Sequence, residues 1–254
     1  MTLSHQQKIA ICVLVLYWPV LFVFLHIPIP RVVQEADVSD KSLHFLTYLV
    51  LTFLLWSAVG GNRKVKWCWP APWLVLFVML VYGVLDEWLQ GYVAGRSCDV
   101  RDFLMDLAGA LAGLILSSFL TFWPAGLLVT AAFIFGITNV TRANLADLLP
   151  GTNAVFHLVA YAILTVLWIN CMYLFSATKA PKVKWLIAAF SGPAGFLIIV
   201  KLISFIAGRD FVLYDIIISV GAIAAVVAVL YVGALFRKTQ GSKSKNCEPV
   251  IGRH

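Results

Sequence analysis

Charge is scarce in this sequence. Only 12% of its 254 residues are Asp, Glu, Lys or Arg, against roughly 25% in a soluble domain. With 61% of the residues apolar, an ordinary soluble globular domain is excluded, because it has too little polar surface to cover its exterior. Cysteine is also sparse: Cys12 and Cys171 fall in apolar stretches, Cys68, Cys98 and Cys247 in loops or tails, and none forms a C-x-x-C pair. Neither a disulfide framework nor a thiolate metal site is indicated. G-x-S-x-G, H-E-x-x-H, P-loop and dinucleotide fingerprints are missing as well, so the familiar catalytic signatures give no lead.

What the chain has is long apolar runs. Eight can be read, near residues 8–27, 42–60, 71–90, 102–122, 125–139, 153–174, 184–206 and 211–236, each close to the roughly 20 residues that cross a bilayer as a helix. The expected class is an all-α polytopic membrane protein with about eight transmembrane helices. The first run ends in His26-Ile27-Pro28-Ile29-Pro30 without a small-residue cleavage site, and is read as a retained helix rather than a signal peptide.

The net charge of +7 suggests nucleic acid until its distribution is considered. With both termini cytoplasmic, the inner segments hold twelve of the nineteen basic residues, in the 63–66 loop, the 179–184 loop and the tail among others. That is the positive-inside pattern of a cell-membrane protein, with the basic patches facing anionic lipid headgroups and no nucleic-acid partner. All acidic residues except Glu248 then fall at the outer side.

The sequence also matches itself at an offset of 113 residues. His44 falls on His157, Tyr48 on Tyr161, Thr52 on Thr165, Ala94-Gly95-Arg96 on Ala207-Gly208-Arg209, and Asp102 on Asp215. Two parallel four-helix repeats are expected, 1–122 and 123–236, followed by a basic tail over 237–254; four is an even number of crossings, so both copies enter from the same side. Lys41, Asp86, Glu87, Gln90 and Asp106 are answered in the second copy by Ala154, Ile199, Val200, Ile203 and Ser219. A site, if there is one, belongs to the first copy, and the second is expected to be mostly apolar around His157 and Arg209, with no carboxylate beside the histidine.

Three stretches of the first copy carry the candidate chemistry. Asp40, His44 and Tyr48 lie along one helical face with Lys41 adjoining; Asp86, Glu87 and Gln90 share a face; and Asp99, Asp102, Asp106, Gly109 and Gly113 make one stripe whose G-x-x-x-G end allows close helix approach. Ionisable groups at membrane depth are costly and mark functional candidates. The plain alternatives are an interior histidine satisfied by its neighbours, carboxylates reaching the interface, and Arg96 closing its loop by an ion pair. In the functional reading Lys41, Gln90, Arg96, Asp102 and Asp106 bind a ligand, while His44, Glu87 and Asp86 exchange protons. Carboxylate-rich sets also suit Mg²⁺, Mn²⁺ or Ca²⁺, although no ligand spacing demands a metal.

These residues carry a family resemblance. Asp40-Lys41-x-x-His44-x-x-x-Tyr48, Tyr82-Gly83-x-x-Asp86-Glu87-x-x-Gln90, Gly95-Arg96, Asp102, Gly109 and Gly113 resemble, in order and spacing, the VanZ-like family of small bacterial membrane proteins over roughly residues 8–122. Asp106 departs from the pattern, standing where the family commonly has Asn, and residues 123–236 resemble a degenerate second copy. The resemblance implies a cell-envelope protein, and the family's name comes from a member associated with low-level teicoplanin resistance; it implies no established reaction or cofactor. The function expected is binding or processing of an anionic lipid-linked or peptidoglycan-related component at the outer face. The alternatives are a membrane transporter and a non-catalytic membrane subunit.

Overall fold

The computed structural model describes residues 3–26, 40–94, 98–139, 150–175, 180–209 and 212–245. Within them the secondary structure is helical: α1 His5–His26, α2 Asp40–Gly60, α3 Pro70–Gln90, α4 Val100–Phe119, α5 Phe122–Asn139, α6 Pro150–Phe175, α7 Val183–Ile206 and α8 Leu213–Lys245. All eight are long and apolar enough to cross a membrane, and their outward surfaces are large apolar side chains such as Leu16, Phe77, Ile115, Ile187 and Val229. An α-helix is the form in which such a segment can enter hydrocarbon, because it satisfies its own backbone hydrogen bonds.

Two boundaries differ from the sequence reading. The expected break between the fourth and fifth runs falls three residues early, at an extended Leu120, and α5 begins at Phe122, whose N–H donates to Asn62 Oδ1 at 3.2 Å. Pro124 therefore sits in the first turn of α5, where its missing N–H costs nothing, rather than ahead of it. At the other end α8 continues to Lys245, so the first part of the expected tail prolongs the last helix beyond its apolar span, which closes at Arg237.

In the first half α1 packs on α2 and α3, α2 on α3 and α4, and α3 on α4. The second half has the same pairs: α5 on α6 and α7, α6 on α7 and α8, and α7 on α8. The starts of α3 and α4, Pro70 and Val100, precede those of α7 and α8, Val183 and Leu213, by the same 113 residues. The halves meet where α5 lies against α2 and α4. One apolar core, with Tyr48, Leu51, Val75, Met79, Ala110 and Leu114, fills the first half; another, with Ile134, Tyr161, Leu164, Trp185 and Ile223, fills the second.

Candidate functional site

The closest approach in the first half is between α2 and α4, and glycine makes it possible. A Cβ on Gly109 would collide with the Phe45 carbonyl oxygen, and one on Gly113 would come within 3.1 Å of Leu49 O. Asp106, three residues before Gly109 on the same stripe, is thereby pressed against the start of α2. There the His44 Nδ1–H donates to Asp106 Oδ1 at 2.9 Å, with the histidine fully buried.

The C-terminal end of α3 supplies the other wall. Glu87 Oε1 lies 3.8 Å from His44 Nδ1. Its second oxygen, Oε2, accepts the Asp99 N–H at 3.1 Å, tying the end of α3 to the start of α4, where Asp99 caps the helix through the Arg101 N–H at 2.9 Å. One turn along α3, Gln90 Nε2 donates to Asp86 Oδ2 at 2.9 Å. From α1, His26 Nε2 approaches Asp86 Oδ1 to 3.9 Å.

His44, Asp86, Glu87, Gln90 and Asp106 are at most 4% exposed, and Asp102 is 9% exposed. Single ligand atoms of His44, Asp86 and Asp106 fit within 4.8 Å of one another, as do those of His44, Glu87 and Asp102. The candidates thus gather as a buried cluster at one end of the unit. Lys41 is half-buried at the same end of α2. Gly95 and Arg96, in the connection between α3 and α4, lie outside the described residues. Burying carboxylates costs several kcal/mol each unless charge or hydrogen bonds compensate. Yet Glu87 Oε1 and Asp106 Oδ2 have no hydrogen-bond partner among the described residues.

Sequence reasoning missed His26, which looks like the polar end of an apolar run. The available signal was its position at the same membrane level as Asp86. Tyr48 and Tyr82 complete the floor, their rings 5.8 Å apart.

The second half corrects an expectation. His157 has a carboxylate beside it, and the surroundings are not mostly apolar. Asp215 Oδ2 lies 3.0 Å from Lys201 Nζ and 3.4 Å from His157 Nε2, while Asp215 Oδ1 accepts from Asn153 Nδ2 at 2.7 Å. Ser219 Oγ lies 3.2 Å from His157 Nδ1 and donates to the Asp215 carbonyl at 2.8 Å. Comparing matched positions missed this set because Lys201 aligns with Trp88, Asn153 with Asp40 and Ser219 with Asp106, so three of its members have no like-typed counterpart. One carboxylate faces one ammonium, and both carboxylate oxygens are engaged. Arg209 donates to Thr138 O and Asn139 O at 2.9 and 2.7 Å, capping α5.

No curated protein and no solved structure matches the chain. The VanZ/LLP1 family model matches residues 10–122, from the second turn of α1 to the first residue of α5 and so across the whole buried cluster. Over those residues this multi-pass membrane protein is similar to the VanZ/LLP1 family.

Proposed function

We propose that the first unit binds or processes an anionic component of the cell envelope, lipid-linked or peptidoglycan-related, at the outer face of the membrane. The observation that carries this reading is the convergence of His44, Asp86, Glu87, Gln90, Asp102 and Asp106 from three helices at one end of the unit. Val84, Leu85 and Trp88, on the outer side of the same turns of α3, are about half exposed and face lipid. A headgroup could therefore reach the cluster while its tail stays in the bilayer. Lys41 and Arg96 are assigned to hold the anion, Arg96 by its planar donor fork. Gln90, Asp102 and Asp106 set the ligand and His44 in place, and His44 and Glu87, with Asp86, exchange protons. Transport is disfavoured because the interior beneath the cluster is closed by Leu51, Val75, Met79, Ala110 and Leu114.

Binding of undecaprenyl phosphate to the purified chain, read by native mass spectrometry, tests the assignment. Glu87→Gln and Arg96→Ala are expected to weaken it at least tenfold and His157→Ala to leave it within twofold. In cells the same two variants are expected to abolish any teicoplanin tolerance the protein confers while its membrane level holds. Equal losses from His44→Ala and His157→Ala would assign both histidines to packing and remove the site.

The halves are proposed as two copies of one unit, 1–122 and 123–236, related by an axis along the membrane normal. The repeated helix pairings and the 113-residue offset of the starts of α3 and α7 and of α4 and α8 support this. Both termini are proposed to be cytoplasmic, from the positive-inside pattern. Cys98, exposed beside the cluster, and Cys68, exposed at the opposite end, provide the measurement. In otherwise cysteine-free chains, an impermeant maleimide is expected to label Cys98 on intact cells and Cys68 only after permeabilisation; the reverse result would move the site to the cytoplasm.

A further inference from the structure

An anion placed at this site meets a difficulty of sign. Asp86, Glu87, Asp102 and Asp106 put four carboxyl groups around His44, and in a medium of low dielectric like charges repel strongly. We propose that a divalent cation of the Mg²⁺ or Mn²⁺ kind binds at His44 among these carboxylates and bridges them to the anionic ligand. Only the bridging half of this rests on the function proposed above.

The donor set defines the ion. Carboxylate oxygens select hard cations, and an imidazole nitrogen among them favours Mn²⁺ over Mg²⁺ and Ca²⁺, whose ligands are oxygens. Bonds of about 2.1 Å in an octahedron place ligand atoms about 3 to 4.2 Å apart. Within each of the two triplets that share His44 the ligand atoms lie within 4.8 Å of one another, so side-chain shifts of a few tenths of an ångström would close either one on an ion. His26, at 3.9 Å from Asp86 Oδ1, stands just behind one of the carboxylates.

A second observation, independent of the clustering, points to a ligand. Glu87 is 4% exposed and Asp106 1%, yet each keeps one carboxylate oxygen without a hydrogen-bond partner among the described residues. Glu87 Oε1 is turned towards His44. A buried acceptor left in this state is destabilising by about 1–3 kcal/mol, and a cation held by either triplet would engage one of these two carboxylates.

The second unit shows the same ground served differently. Where the first unit has Asp86, Glu87 and Asp106, the second has Ile199, Val200 and Ser219, and its remaining carboxylate, Asp215, meets the ammonium of Lys201 at 3.0 Å. A cation is built into the covalent chain there. The residue at that position in the first unit is Trp88, which is exposed at the surface, while three more carboxylates point inwards.

The test uses the full chain, purified in detergent and stripped with EDTA. Titration with Mn²⁺, followed by loss of the free-ion electron paramagnetic resonance signal, is expected to show one saturable site per chain that Mg²⁺ competes for. Glu87→Gln and Asp106→Asn are expected to weaken it by roughly 10- to 100-fold, and His157→Ala to leave it unchanged. If either carboxamide variant fails to elute as a single species, pulsed resonance on the wild-type chain decides the matter. A ¹⁴N coupling from a bound imidazole is expected, and its absence would overturn the site, as would unchanged affinity in Glu87→Gln.

Undecaprenyl phosphate separates the two proposals. Phosphate binding lost in EDTA and restored by Mn²⁺ supports the bridge. Equal binding in EDTA overturns the bridge and leaves the anion site standing, whereas Mn²⁺ binding without any phosphate binding keeps the cation and overturns the anion reading.

Discussion

Gly109→Val is expected to leave little folded protein in the membrane, and Gly109→Ala to lower the thermal midpoint of the purified chain well below that of Gly221→Ala. The obstacle to a Cβ at Gly109 is the Phe45 carbonyl oxygen, with Leu49 N a further contact at 3.1 Å. Both belong to the backbone of α2, so no side-chain rotation relieves the overlap and α4 must move away from α2. Overpacking a tight interface costs about 1–3 kcal/mol, and a backbone obstacle puts Gly109→Ala at the upper end of that range. Gly221 in α8 has nothing within 4 Å of where a Cβ would stand. Alanine there removes a helix-interior glycine and should be neutral or stabilising by up to about 1 kcal/mol. Fluorescence-detected size-exclusion chromatography after heating measures both. A Gly109→Ala chain as heat-resistant as the wild type would show that α2 and α4 are not in contact, and would separate Asp106 from His44.

How much of this arrangement the sequence could show depended on the kind of signal. The eight spans were legible because helix in hydrocarbon is close to a one-variable problem, the length of apolar run. The gathering of Asp106 and His44 was also legible, since the stripe Asp99, Asp102, Asp106, Gly109, Gly113 reports both where the polar groups lie and that the helix carrying them is closely packed. Asp99 itself proved to be the N-cap of α4, with its own N–H on Glu87 Oε2; a stripe cannot tell its cap from its members. The contribution of α1 through His26 was not legible, because which helix ends stand beside one another is a tertiary fact. Nor was the polar set of the second unit, where Lys201 lies in an otherwise apolar run and Asn153 at a helix start. Their partner Asp215 is distant in sequence. The internal comparison reported substitutions at matched positions and was blind to a cation arriving from an unmatched one.

That cation supports the other large effect. Asp215→Asn and Lys201→Met are each expected to destabilise the chain by about 3–5 kcal/mol, because removing one member of a buried ion pair leaves the other charged and without its counterion. Lys201 is 9% exposed and Asp215 6%, and the ammonium sits on a carboxylate that Asn153 and His157 also engage. The double variant Lys201→Met/Asp215→Asn removes both charges together. It is expected to recover most of the stability lost by either single change, as replaced buried pairs commonly do, with Asn153 and His157 still able to hydrogen-bond the new amide. A competing arrangement is available to a lysine one turn from the end of α7: its stem lies along the helix while the ammonium reaches the interface. In that case Lys201→Met costs less than about 1 kcal/mol, and the double variant is no better than Asp215→Asn alone. Thermal unfolding of the four chains under one detergent condition gives the coupling between the two changes directly. The double variant also bears on how the halves divide their work. If the second unit is a closed structural copy, neutralising its ion pair leaves Mn²⁺ binding at His44 as it was, and a loss of that binding would mean that the two clusters act as one.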